Sequence, residues 1–404
     1  MKILMIGGTG TISSAITRQL SESNNELWLL NRGTRKHEVP ANVKQVIANI
    51  DDEAEVLRQI GDTQFDAVCE FIGFLPSQVE RDIRLFKGRT RQYVYISSAS
   101  AYNKPAASHI ISEGTTLANP YWEYSRNKIA CEELLMKTYR EEGFPVTIIR
   151  PSHTYCERSV PLSVHGLKGS WQVLKRMMEG KPVLVHGDGS SLWTVTWNED
   201  FAKGFIGLLG NPKAIGEAFQ IMSDEQLTWN QIYECVAKAL HTKANLYHVS
   251  SDFLAATCPK EWDFTGNLLG DKAVTVVFDC RKLKRAVPGF CATTRYDEMR
   301  ARIEHDRKEL CGDFCRGCGY CQPCTVGIEI ESCNRMYLFL RRAPYSVYLT
   351  DEFYEKMQQV NDCVECGLCK ERCPYHLDIP TLLKRNLEDF NEHWAHRDEY
   401  TSGH

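Results

Sequence analysis

Eight cysteines near the end of this 404-residue chain fall into two runs, Cys315-x2-Cys318-x2-Cys321-x2-Cys324 and Cys363-x2-Cys366-x2-Cys369-x3-Cys373-Pro374. Three thiolates at such short spacing can wrap one cubane, and a fourth from a distant run can complete it. The second run has the bacterial ferredoxin spacing, in which the last cysteine ligates the other cluster. The spacing therefore predicts two [4Fe–4S] clusters. One takes Cys315, Cys318, Cys321 and Cys373; the other takes Cys363, Cys366, Cys369 and Cys324. Cys311 and Cys333 are left over as structural residues. Zinc is the rival, because paired C-x2-C units also make tetrahedral sites. Three successive x2 spacings in the first run, and two in the second closed by x3 and Cys-Pro, are poorly explained by it.

A second set of residues suits proton transfer to a carbonyl or alcohol. Tyr124 and Lys128 stand four apart in a segment that reads as a helix to about Glu142, so they share one face. An adjacent ammonium favours phenolate, which predicts a lowered phenol pKa. Ser97-Ser98 ends an apolar run, where a hydroxyl could bond the same substrate oxygen. Near the chain start, Gly7-Gly8-Thr9-Gly10-Thr11-Ile12 separates the apolar run Lys2–Ile6 from a helical pattern. Glycines in that position permit a tight turn and let backbone approach a pyrophosphate at a helix N-terminus. After the next apolar run, Glu26–Asn31, a ribose-binding acid is replaced by Asn31-Arg32, with Arg35 and Lys36 behind. Those cations suit a 2′-phosphate, which favours NADP(H) over NAD(H) while leaving both open.

These residues need a frame. Apolar runs at 2–6, 26–31, 67–72, 93–96 and 146–149 alternate with helical patterns, as in a parallel sheet covered on both faces. Hydrophobic content of 43% and charged content of 25% are those of a globular protein with a real core. The net charge of −4 gives no basic field for nucleic acid. No apolar run is long enough to span a bilayer, and no signal peptide is read at Met1. A cytoplasmic, reducing setting is expected. Ten of the 17 cysteines lie from Cys311 to Cys373, so composition shifts near residue 305, in the charged stretch 300–308.

Residues 1 to about 300 resemble the extended short-chain dehydrogenase/reductases of the NAD-dependent epimerase/dehydratase branch. The matching pieces are Gly7-Gly8-Thr9-Gly10, Ser97-Ser98-Ala99-Ser100-Ala101-Tyr102, Tyr124-x3-Lys128 and Arg150-Pro151-Ser152-His153-Thr154-Tyr155. The resemblance implies that Ser98, Tyr124 and Lys128 form the catalytic set, and that Pro151 and His153 lie by the nicotinamide. It also implies substrate-side roles for His186-Gly187-Asp188-Gly189 and Trp197-Asn198-Glu199-Asp200. Three departures stand out. Ser13 replaces the third glycine, which predicts looser helix–strand packing. Ala99 and Ser100 stand where sugar 4,6-dehydratases carry an acid. An arginine often used near a nucleotide-sugar diphosphate is replaced around Ser191-Leu192-Trp193. Residues 307–394 resemble the iron–sulfur tail of certain bacterial aldo/keto reductases, through both cysteine runs, Gly327-Ile328-Glu329-Ile330, Leu340-Arg341-Arg342-Ala343-Pro344 and Cys373-Pro374-Tyr375. Thr325 departs from the proline that many of those tails place there.

The expected architecture is α/β: a Rossmann-type doubly wound parallel sheet with a small substrate lobe built mostly after residue 155 (residues 1–305). A mainly α-helical two-cluster ferredoxin-like domain follows (residues 306–404). The expected activity is an NAD(P)-dependent oxidoreductase or epimerase acting on a sugar-like alcohol or ketone, with clusters for electron relay or redox sensing. The alternative is a non-catalytic nucleotide-binding redox sensor or docking module. A redox partner protein and a homodimer are further expectations; nucleic acid and membrane are not expected partners.

Overall fold

The computed structural model describes residues 1–33, 39–166, 169–292, 314–342 and 345–397. Arg35, Lys36, Cys311 and the expected boundary near 305 lie outside the described residues. The chain divides into two compact units, Met1–Ile303 and Glu304–His404.

The first unit is built on a seven-stranded sheet: β1 (Lys2–Ile6), β2 (Glu26–Asn31), β3 (Lys44–Ile47), β4 (Ala67–Glu70), β5 (Tyr93–Ile96), β6 (Val146–Pro151) and β7 (Glu217–Ile221). The order is β3-β2-β1-β4-β5-β6-β7, and every pairing is parallel. The run of apolar residues in β1 follows from burial on both faces. Ile3 and Met5 join one core with Leu29 and Phe205, while Leu4 and Ile6 join another with Tyr93 and Leu135. The strand order reverses between β1 and β4. Open α/β sheets hold ligands in the crevice at such a switch point, outside the strands' carboxyl ends.

Helices α1 (Ser13–Ser21), α2 (Glu53–Ile60), α3 (Pro76–Phe86) and α4 (Glu123–Glu142) follow β1, β3, β4 and β5. Helix α4 starts after Trp122 and stops at Gly143, whose φ of 70° forms a left-handed cap. A separate core gathers Tyr102, Tyr155, Trp193, Trp197, Trp229, Tyr233 and Phe278 into the smaller lobe.

The second unit is helical where it is described, with Met336–Arg342, Asp351–Gln358 and the long Ile379–Ala395 as its main elements. Ile379, Leu383, Leu387 and Phe390, on the long helix's inner face, pack with Ile328, Met336, Leu340 and Met357. Cys321, Cys333 and Cys373 are buried in the same core.

Candidate active site and cluster-binding loops

Glycine spacing and strand topology converge on one cleft. Its volume is about 810 Å³, and its walls are the carboxyl ends of β1, β2, β4, β5 and β6. Gly7, Gly8, Thr9, Gly10, Thr11, Ile12, Asn31 and Arg32 line one end; Ser98, Tyr124, Lys128 and Pro151 line the other. His153 is not among the lining residues. It sits on a short strand, its ring centroid 6.2 Å from that of Trp229, and its Nδ1 is buried without a partner.

The turn fits a dinucleotide. A Cβ on Gly8 would lie 2.7 Å from Leu29 Cδ2, so any larger residue would have to displace that buried side chain. Thr17 Oγ1 donates to Gly8 O at 2.8 Å and ties α1 to the turn. The looser packing expected from Ser13 does not occur. Ser13 is 3% exposed, and its hydroxyl accepts the Gly10 N–H at 3.0 Å. No acid stands in the first turn of α1, which leaves its dipole free for an anion. At the end of β2 the Asn31 carboxamide oxygen accepts Gly33 N–H at 2.7 Å, whereas Asn31 Nδ2 is buried with no partner. That orphaned donor lies where a ribose belongs in this fold. The segment around Asn198, expected on the substrate side, instead braces the turn. Asn198 Nδ2 donates to Thr11 O at 3.1 Å, and Gln19 Nε2 donates to Glu199 Oε2 at 2.8 Å.

At the other end, α4 brings Tyr124 and Lys128 to the cleft from successive turns. Lys128 Nζ donates to the carbonyls of Gly73 and Ile96, each at 2.7 Å, and stands 5.9 Å from the Tyr124 ring centre. Burial lowers this ammonium to about 8. The expectation of a lowered phenol pKa is corrected here. Burial holds Tyr124 above its ordinary value, with only the Ser98 hydroxyl pulling it down. The physical reason is burial of the phenol, to which the nearby Asp271 charge adds, while Lys128 Nζ spends its hydrogen bonds on two carbonyls rather than on the hydroxyl. Phe74 and Trp122 flank the phenol, with ring centroids 6.2 and 5.0 Å from it. The strand-end hydroxyl Ser98 Oγ contacts Ser100 Oγ at 2.9 Å.

Sequence reasoning passed over Glu70, Arg81 and Asp51. Arg81 and Asp51 line the cleft and pair at 2.6 Å. Arg81 also forks onto Asp82 Oδ1 at 2.9 and 2.8 Å. Glu70 is fully buried, and burial with the neighbouring Asp82 charge holds its carboxyl well above the usual carboxylate range. An acid inside the otherwise apolar strand Ala67-Val68-Cys69 was the available signal.

The second unit offers a sulfur donor set. Cys321, Cys324, Cys363, Cys366 and Cys369 line one cavity together with Thr325, Gly367 and Leu383. Burial raises the Cys315 thiol pKa, with the neighbouring Cys318 and Cys373 adding to it, and Cys321 is pushed up to about 11 by burial and by Cys315 and Cys318. Gly317 N–H donates to Cys315 Sγ at 3.4 Å, the kind of bond that tunes a bound cluster's potential. Eight thiols in two interleaved groups fit cubane ligation. Cys333 stands apart, donating to Lys356 O at 3.6 Å, with burial pushing its thiol up to about 12.

Comparison with known proteins agrees with both halves. Residues 314–378 match the family model of the 4Fe-4S dicluster domain. A 2'-dehydrokanamycin reductase of Streptomyces kanamyceticus is 24% identical over 72% of this chain and 80% of its own length. The chloroplast stem-loop binding protein of 41 kDa b of Arabidopsis thaliana is 27% identical over 65% of this chain and 68% of its own. The fold is also that of UDP-glucuronic acid 4-epimerase from Bacillus cereus, solved with UDP-glucuronic acid and NAD (TM-score 0.58, 18% identity, 76% of this chain and 100% of that one). Residues 3–221, more than half of the sequence, match the model of the NAD dependent epimerase/dehydratase family, and the chain belongs to that family.

Proposed function

We propose that the first unit interconverts an alcohol and a ketone on a sugar-like substrate, using NAD or NADP. The carrying observation is that Ser98, Tyr124 and Lys128 line the same cleft as the glycine turn. When bound, a nicotinamide supplies a hydride acceptor or donor there. Gly7 to Ile12 would hold its pyrophosphate, and Asn31 with Arg32 its adenosine ribose. The chain's own residues handle the proton. Ser98 Oγ positions the substrate oxygen. Tyr124 Oη gives or takes the proton, and its raised pKa keeps it protonated and ready as an acid in the resting site. The Lys128 ammonium favours the phenolate left behind. Phe74 and Trp122 present an apolar wall to a ring.

In the second unit, Cys315, Cys318, Cys321 and Cys373 hold one [4Fe–4S] cluster, and Cys324, Cys363, Cys366 and Cys369 the other. These clusters relay single electrons to a partner protein or report redox state. The test is nicotinamide oxidation and reduction against a panel of sugars and their ketones. Tyr124→Phe should lower kcat by roughly 100-fold or more while leaving nicotinamide affinity unchanged. Equal turnover in the variant would sink the assigned mechanism.

A further inference from the structure

Next to Tyr124, the smaller lobe buries more positive charge than it neutralises. Lys104 is 4% exposed and Lys272 is 9% exposed. Lys104 Nζ reaches Asp271 and lies 5.4 Å from the Trp193 ring centre. Lys272 Nζ has the neutral Asn267 Oδ1 as its partner, and both Lys104 and Asp271 are close enough to act on its charge. Gly270, next to Asp271 in the chain, packs against Tyr121 and Trp122, and the Trp122 ring centroid lies 5.0 Å from that of Tyr124, which places this group beside the reacting end of the cleft. Two lysines thus share one carboxylate.

The surrounding histidines do not restore the balance. His186 Nδ1 contacts Ser163 Oγ at 2.9 Å and Nε2 contacts Lys272 O at 3.0 Å, and burial lowers its ring to about 4. His153 and His165 are held low in the same way. All three are neutral near pH 7. Asp188, the acid acting on His186, is exposed and accepts from Ser190.

Donors without acceptors occur in the same group. Trp193, 2% exposed, stacks on Trp229 at 5.5 Å, and its Nε1 has no partner. An indole N–H can only donate, so its partner must be an acceptor. Thr154 Oγ1 and His153 Nδ1 are buried without partners as well. A buried surplus cation beside unmatched donors is costly unless an anion completes it.

We infer that the substrate carries an anionic oxygen group, a carboxylate or a phosphate, on the part that meets Tyr124, and that Lys104 and Lys272 hold it. Trp193 occupies the stretch where the sequence lost an arginine of the nucleotide-sugar site, so here the cations come from other elements: the segment after Tyr102 and the helical turn Thr265–Lys272. This inference rests on the reading of Tyr124 as the reacting end.

Its test is a binding measurement, independent of turnover. The full chain is first saturated with NAD+, so that the glycine turn is filled and phosphate probes report on the smaller lobe. D-Glucuronate, D-glucose 6-phosphate and D-glucose are then titrated by saturation-transfer NMR into the unmodified chain, Tyr124→Phe, Lys104→Met and Lys272→Met. One or both anionic probes should bind about tenfold more tightly than glucose, the scale of one buried charge contact. Which of the two does so distinguishes carboxylate from phosphate. The preference should persist in Tyr124→Phe and vanish in either lysine variant. Because Lys272 is buried, Lys104→Gln serves as the second variant if Lys272→Met does not fold. Equal binding of all three probes, no binding by either anion, or a preference unchanged in the lysine variants would overturn the inference. Loss of turnover differences in Tyr124→Phe, with the anion preference intact, would instead overturn the catalytic reading and leave the binding site standing.

Discussion

At the scale of single residues, Lys128 makes the sharpest claim. Its ammonium is lowered to about 8 by burial, from an ordinary 10.5. Raising the pH through 8 therefore removes the charge that favours the Tyr124 phenolate, and kcat/KM should fall on that limb. In Lys128→Arg the guanidinium keeps its charge, so whatever activity remains should show no limb near pH 8. A limb that stays in the arginine variant would assign it to another group. The same shift acts on stability. Between pH 8 and 10.5 the unfolded chain binds a proton that the folded chain does not, so this residue's contribution to stability rises with pH across that window. The residue types of this site were legible in the sequence, since Tyr124 and Lys128 share a helix face by spacing alone. Their protonation was not. It depends on the carbonyls of Gly73 and Ile96, contributed by two other elements, and no local pattern announces them.

At the scale of elements, the glycine turn separates two roles that sequence reading merges. A Cβ at Gly8 meets Leu29 at 2.7 Å, whereas one at Gly10 meets only Ser13 Oγ at 3.4 Å. Gly8→Ala should cost about 1–3 kcal/mol of stability in a denaturant melt, because the buried Leu29 side chain of β2 must shift to admit it. Gly10→Ala should leave the melt nearly unchanged and weaken NADH binding, followed by the cofactor's fluorescence. If both variants lose the same stability, the turn is uniformly packed and the distinction is wrong. The strands themselves were readable because β1, β2, β5 and β6 each carry an apolar run (3–6, 27–30, 93–96 and 148–149), the mark of burial on both faces. The smaller lobe was less so. Its strands are two to four residues long, as at Leu192–Trp193 and Val195–Trp197, too short to carry a period. The cations Lys104 and Lys272 stand 168 positions apart and meet only through that lobe's fold.

At the scale of the whole molecule, two electron currencies share one chain. A hydride carries two electrons at once, and an iron–sulfur cubane exchanges one. Transfer between them needs a group that splits the pair, usually a flavin, and the chain has a single glycine turn of the dinucleotide type. After anaerobic purification, dithionite should reduce the clusters and give an EPR signal, whereas NADH or NADPH alone should not. A signal with nicotinamide alone would reveal a bound splitter and make the two halves one electron path. Iron and sulfide counts on the same sample decide between one cluster and two. The cysteine runs were the most legible feature of the sequence, because ligand spacing is a local property. What joins them to the reductase half in function is not local, and spacing is silent about it.

The interleaving of the cysteine runs also has a consequence for how the protein is made. Cys324 shares a cavity with Cys363, Cys366 and Cys369, and Cys315 is a neighbour of Cys373. If each cluster takes its fourth thiolate from the other run, as proposed above, neither loop can be closed by metal until the other has left the ribosome. The first unit has its own cores and finishes with no such requirement. In a cell short of iron, synthesis would then yield a folded reductase bearing an unfinished, protease-sensitive tail. The ratio of full-length to trimmed chain would serve as a record of the iron supply during translation.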